Sequence, residues 1–174
     1  MFYTIATIAP ICRQLHAVGR KLVLATGFFD LLHEEHQNFL VKAKAAGDIL
    51  IVAVESDVRA RVLKGEGRPV ETQAVRCQNL LALHSPDSEL PNRSESSAPI
   101  VDYVIALPDD FDHFEAYDSL MAAIQPAVYA VSSHSDHLKS KTFLTEKYGG
   151  ELRVVHEHNP AISTTQIIHK ANQV

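Results

Sequence analysis

Two histidines, His33 and His36, stand three residues apart in the stretch Gly27-Phe28-Phe29-Asp30-Leu31-Leu32-His33-Glu34-Glu35-His36. If a helix begins here, residues three apart share a face, so both imidazoles point the same way. The unpaired N–H groups of a first helical turn and the positive end of the helix dipole face that same spot. Together these groups suit a polyphosphate, with the imidazoles donating to its oxygens. The same residues also fit a structural role, His33 as a capping or turn residue and His36 as a partly buried one. The zinc-protease helix motif is excluded, because it sets histidines at i and i+4 with glutamate directly after the first. A metal centre drawing on His33, His36, His134 and His137 is a further alternative, since neutral imidazole suits zinc or another transition metal. No Cys or Asp spacing reinforces it, and no metal ligand is assigned.

A second candidate site lies near the C-terminus, in Ile162-Ser163-Thr164-Thr165-Gln166-Ile167. Ser163 can cap a helix starting there, and successive hydroxyls plus backbone amides make an anion cradle. A plain N-cap accounts for the same residues. Lys64 and Arg68, in Lys64-Gly65-Glu66-Gly67-Arg68-Pro69, and Arg76 on the helix that follows could bring cations to the same place. Each could equally be a solvated surface charge.

The elements that must position these residues alternate along the chain. Apolar runs at 22–25, 49–54, 103–107, 127–131 and 152–155 read as strands, the second being apolar on both faces. Helical patterns fill 8–18, the stretch from the Asp30 turn to 46, 57–63, 71–84, 113–124, 136–148 and 163–171. This order predicts an α/β fold, a Rossmann-like parallel five-stranded sheet with helices on both faces. Residues 1–174 read as one domain, with an N-terminal helix inside 1–20 and a flexible insertion at 85–99, where Ser, Pro, Asn and Glu accumulate. In such sheets ligands bind beyond the carboxyl ends of the strands. Functional residues are therefore expected just after Ala25, Val54, Val131 and Val155.

Composition narrows the function classes. The 174 residues carry 16 Lys+Arg against 21 Asp+Glu, a formal charge of −5, with ten histidines. A mildly acidic chain lacks the basic footprint of a nucleic-acid binder. No apolar run approaches the ~18 residues of a membrane span. The N-terminus has no basic segment before its apolar stretch, so no signal peptide is expected. Cys12 and Cys77 form neither a metal spacing nor a disulfide framework and read as free thiols of a reducing cytoplasm. His16, His84, His113 and His169 read as surface residues.

Taken together, the two signatures resemble the nucleotidyltransferase superfamily in its cytidylyltransferase-like branch. That branch carries Gly-x-Phe-Asp-x-x-His-x-Gly-His after the first strand and Ile-Ser-Thr-Thr before the last helix. The stretches 43–52 and 64–70 resemble its sugar-phosphate group, closest to the heptose 1-phosphate adenylyltransferase domain, with glycerol-3-phosphate cytidylyltransferase next. The resemblance runs from about Lys21 to Lys170. It implies transfer of a nucleoside monophosphate from ATP or CTP to a small phosphorylated acceptor, assisted by Mg²⁺. By that resemblance His33, His36, Lys64 and Arg76 are the catalytic set. Gly27, Phe28, Phe29, Ser163, Thr164, Ser132 and His134 would hold the nucleotide. The implied partners are a nucleoside triphosphate, a sugar or polyol phosphate and a second copy in a homodimer, with no nucleic acid and no membrane. The chain departs from the pattern at Glu35, where the family has glycine, and at Ser132-Ser133-His134-Ser135-Asp136, where it has a Gly-Gly-Asp-type loop. A non-catalytic nucleotide-binding protein of the same fold is the alternative function.

Overall fold

The computed structural model describes residues 1–84 and 98–157, together with Thr164 and Gln166. Five strands, β1 (Leu22–Gly27), β2 (Ile49–Val54), β3 (Tyr103–Ala106), β4 (Val128–Ser132) and β5 (Glu151–His156), form one parallel sheet in the order β3-β2-β1-β4-β5. Among the described residues they are accompanied by helices α1 (Ile5–Ala17), α2 (Glu34–Lys44), α3 (Asp57–Lys64), α4 (Gln73–Leu81), α5 (Phe114–Ile124) and α6 (Leu138–Lys147). This is the α/β architecture expected from the alternation. Of the final helix expected over 163–171, with Ser163 at its start, only Thr164 and Gln166 are described, both helical, and nearly all of the expected 85–99 insertion lies outside the described residues.

Strand periodicity sorts the core into two layers, because successive side chains point to opposite faces. Leu22, Leu24, Ile51, Ala53 and Tyr129 pack with Ile8 and Cys12 of α1, Leu120 and Ile124 of α5, and Leu144 of α6. Val23, Ala25, Leu50, Val52 and Val128 face the other way, onto Phe39 and Leu40 of α2 and Cys77 and Leu80 of α4. Both cysteines are free and buried, one in each layer, and burial pushes each thiol up to about 11.

The N-terminal helix begins at Ile5, three residues before the expected start. Thr4 and Thr7 form a reciprocal capping box, with Thr4 N donating to Thr7 Oγ1 at 2.9 Å and Thr7 N to Thr4 Oγ1 at 3.3 Å. Just before it, Tyr3 pairs with the β3 edge: its N–H donates to the Val104 carbonyl at 2.8 Å, and its carbonyl accepts from Ala106 N at 2.9 Å.

The sheet order fixes where a ligand can enter. From β1 the chain builds outward through β2 and β3, then returns to lay β4 and β5 on β1's other side, so β1 and β4 flank the switch point. Their ladder pairs only Val23 with Val128 and Leu24 with Tyr129, whereas β1 and β2 pair along six positions. The carboxyl ends of β1 and β4 are thus free to part, and a crevice opens between them.

Candidate functional site

A cavity of about 700 Å³ opens at this crevice, lined from the β1–α2 loop, α2, the turn after β2, α5, the β4–α6 loop and Thr164. It takes in Gly27, Phe28, Phe29, His33, His36, Lys64, Ser132, His134 and Thr164. Of the residues expected at the site and described, only Arg76 lies off its lining.

The β1–α2 loop is built to hold an unusual path. Phe29 and Leu31 both adopt positive φ, 52° and 50°, a region that costs a bulky L-residue ~1–2 kcal/mol. Asp30 between them, only 2 % exposed, locks the loop in place. Its carboxylate accepts from Arg68 Nε at 2.9 Å and from the backbone N–H groups of Val70 and Glu71, the latter at 3.0 Å. Glu71 returns the bond, accepting from Leu31 N at 3.2 Å. Gly27 fits because a Cβ there would meet the Phe29 ring at 3.0 Å.

His33 occupies the N-cap position of α2 and makes no side-chain cap bond, so it is not there to cap the helix. Its ring instead stacks on that of His36, with centroids 3.8 Å apart and planes 20° off parallel. His36 also meets the edge of Phe29 at 5.5 Å, and its Nδ1 is buried without a hydrogen-bond partner. Burial, followed by the charge of His33, lowers the His36 imidazole to about 3, so it is neutral near pH 7. The pair sits at the amino end of an 11-residue helix, where N–H groups and dipole favour an anion.

Thr164 is buried, and its hydroxyl donates to the Asp30 carbonyl at 2.8 Å, which ties this residue to the histidine loop. Lys64, at the end of α3, is exposed at the cavity mouth with Nζ 5.8 Å from the centre of the Phe28 ring. Ser132 Oγ and His134 Nδ1 lie 3.0 Å apart at the end of β4. His137 also lines the cavity, at the N-cap of α6. Among the described residues, no group of three or more His, Cys, Asp or Glu side chains is placed to hold a metal ion.

Arg76 requires a correction. It is fully buried, and its guanidinium is spent within the protein: Nη1 donates to the Phe28 carbonyl at 2.5 Å, Nη2 to the Glu55 carbonyl at 2.9 Å and to Asp57 Oδ1 at 2.7 Å, and Nε to the Glu71 carbonyl at 3.1 Å. It holds the loops that frame the cavity from behind. Arg68, paired with Asp30, is likewise committed. His16 is also more than a surface residue, since its Nε2 lies 2.9 Å from the Ile124 carbonyl and ties α1 to α5.

Glu35 points inward. It lines the cavity, is 9 % exposed, and its Oε2 lies 2.9 Å from His156 Nε2. Lys42 Nζ sits 3.1 Å from the other ring nitrogen, Nδ1. An ammonium only donates, so Nδ1 accepts, Nε2 carries the proton, and the imidazole donates to Glu35. A register shift after Val131 pairs His156 with Ser132 and places it at the end of β5 for this contact. The carboxylate is therefore balanced, through the ring, by the lysine. Glu35→Gly would leave the buried imidazole N–H and Lys42 without their counter-charge. It is expected to lower stability by about 2–4 kcal/mol, read from urea unfolding.

Comparisons with known proteins bear on the family and the fold. The family model described as Cytidylyltransferase-like matches residues 24–170. "Bifunctional protein HldE" of Wolinella succinogenes is 39 % identical over 122 residues, covering 70 % of this chain and 22 % of that protein. Its namesake in Geobacter metallireducens is 33 % identical over 165 residues, covering 94 % and 29 %. The chain thus spans less than a third of the length of these relatives. Among solved structures, the lipopolysaccharide core biosynthesis protein from Thermoplasma volcanium superposes with a TM-score of 0.58 at 22 % identity, covering 81 % of this chain and 98 % of that one. The pantoate-beta-alanine ligase of Francisella tularensis also gives 0.58, at 13 % identity, covering 99 % and 77 %. At these identities both speak for the fold alone.

Proposed function

The chain belongs to the cytidylyltransferase-like family, and on that premise we propose that it moves a nucleoside monophosphate from ATP or CTP to a small sugar or polyol phosphate. An acceptor phosphate oxygen forms a bond to the α-phosphorus as the bond from that phosphorus to the bridging oxygen breaks. Pyrophosphate leaves with the electron pair. The observation that carries this reading is the stacked His33–His36 pair at the start of α2, opening on the β1–β4 crevice with Thr164 and Lys64 on the same cavity. The protein's share of the work is positioning and charge neutralisation. His33 and His36 would donate to the triphosphate, Lys64 would close over it from the mouth, and Ser163 and Thr164 would offer the N–H groups of their helix start. Gly27, Phe28 and Phe29 would line the nucleotide, with Ser132 and His134 toward its base.

The residues fit Mg²⁺ that arrives on the triphosphate better than a resident ion, because the buried carboxylates beside the histidines are engaged, Asp30 by Arg68 and two amides and Glu35 by His156. Mg²⁺ would spread the charge of the phosphate oxygens. The homodimer and the cytoplasmic setting belong to the same proposal; among the described residues, no helix is long and apolar enough to cross a membrane.

Incubating the pure protein with each nucleoside triphosphate, Mg²⁺ and a panel of sugar and polyol phosphates should release pyrophosphate with at least one pair. Release with none, together with no triphosphate binding, would overturn the proposal. Glu35 favours a second reading, a nucleotide-binding protein without turnover, because a carboxylate faces the cavity where the resembled signature has glycine. A Glu35→Gly variant that turns over where the wild type does not would support that second reading.

A further inference from the structure

The cavity has a flank beyond the histidines that phosphate binding leaves unused. Glu55, on the turn after β2, is 6 % exposed, and one carboxylate oxygen, Oε1, accepts from the Tyr117 hydroxyl at 2.7 Å. The other, Oε2, lies 3.3 Å from Arg59 Nε in an ion pair. That contact lacks hydrogen-bond geometry, and both atoms are buried with no hydrogen-bond partner. Across the cavity Lys141 donates to Ser135 Oγ at 2.7 Å and lies 5.8 Å from the centre of the Tyr129 ring. Burial raises the Glu55 carboxyl and lowers the Lys141 ammonium, so both charges are held where water solvates them poorly. Buried charged groups with unmet hydrogen-bonding capacity are costly, and here they border an open cavity shared with His33 and His36.

We propose that this flank is the acceptor subsite and that it recognises the hydroxyl groups of a polyol or sugar phosphate, with Glu55 accepting from one hydroxyl and Arg59 and Lys141 donating to neighbouring ones. A hydroxyl both donates and accepts, so adjacent hydroxyls match an anion set beside two cations. A ligand with a carboxylate here would meet Glu55, and an apolar tail would leave Glu55 Oε2 and Arg59 Nε unsatisfied. With its hydroxyls on this flank, the acceptor's phosphate reaches toward the histidines. The assignment rests on the proposed transfer reaction, which supplies the acceptor.

The test is calorimetric titration of the full chain with a hexose 1-phosphate, glycerol 3-phosphate and inorganic phosphate, and separately with a non-hydrolysable nucleoside triphosphate. At least one of the two esters should bind about tenfold or more tightly than phosphate. Glu55→Gln should weaken that ester about tenfold or more, and Tyr117→Phe by less, with triphosphate affinity held. Esters that bind no more tightly than phosphate, or a Glu55→Gln loss shared equally by every ligand, would overturn the subsite. Ester binding that depends on Glu55 in a protein that ignores the triphosphate would uphold the subsite and remove the transfer reading.

Discussion

Arg76→Ala is expected to destabilise the protein by about 3–5 kcal/mol, the usual cost of removing one partner of a buried ion pair, here one whose arginine is fully buried. The guanidinium gives four hydrogen bonds, three of them to backbone carbonyls of Phe28, Glu55 and Glu71 and one to Asp57. Alanine leaves those acceptors without their donor at a buried or part-buried site, and each buried acceptor left unmet costs ~1–3 kcal/mol. For a chain of this size the loss corresponds to a fall in melting temperature of roughly 6–20 °C, measurable by circular dichroism. Arg76→Lys keeps the charge but cannot serve four acceptors from a single ammonium, so it should recover only part of the loss. A melting temperature within 2 °C of wild type for Arg76→Ala would contradict the role assigned here. Triphosphate affinity should fall as well, because the Phe28 carbonyl held by Nη1 belongs to the loop that carries Phe29 and Asp30.

Arg76 also marks where reading the sequence stops. Charge on a helix near a glycine loop suggested a cation for phosphates. Nothing in the residue type tells a guanidinium facing a ligand from one facing three carbonyls, because the carbonyls belong to residues 5, 21 and 48 positions away. The strands were readable because burial on both faces leaves an unbroken apolar run, as at Ile49–Val54. From the alternation of strands and helices and the ligand rule for parallel sheets, the carboxyl edge followed; the sheet order, and with it the crevice between β1 and β4, is set by long-range pairing. The start of α1 was missed because the apolar spacing of Ile11, Leu15 and Val18 marks only the later turns, while the first turn is set by Thr4 and Thr7 capping each other. Asp30 stood inside the recognised motif, yet its role depends on amides 40 and 41 residues ahead. The direction of Glu35 was likewise open until His156, 121 residues later, was placed beside it. Local pattern thus pointed to the candidate site, and long-range polar contacts decide how each side chain is held there.

His36→Gln is expected to weaken triphosphate binding by about 10- to 100-fold and to remove a pH dependence that the wild type carries. The imidazole has an ordinary value near 6.5 and is lowered to about 3 in the folded chain by burial and by His33; Asp30 and Glu35 oppose the shift, and His134 adds to it. The unfolded chain therefore takes up a proton below pH 6.5 that the folded chain refuses down to about pH 3. The stability this contributes is full above pH 6.5 and is lost progressively as pH falls toward 3. Urea unfolding between pH 7.5 and 4.5 should show wild type losing more stability than His36→Gln over that window. A bound triphosphate changes the balance, because its negative charge favours the imidazolium. Triphosphate binding to the wild type should then draw in a proton and strengthen as pH falls from 7.5 to 5.5. Calorimetry in two buffers of different ionisation enthalpy measures that uptake directly. If His36→Gln keeps the same proton uptake and the same stability slope, the proton belongs to another group, and the stacked histidines do not meet the triphosphate in the way their geometry implies.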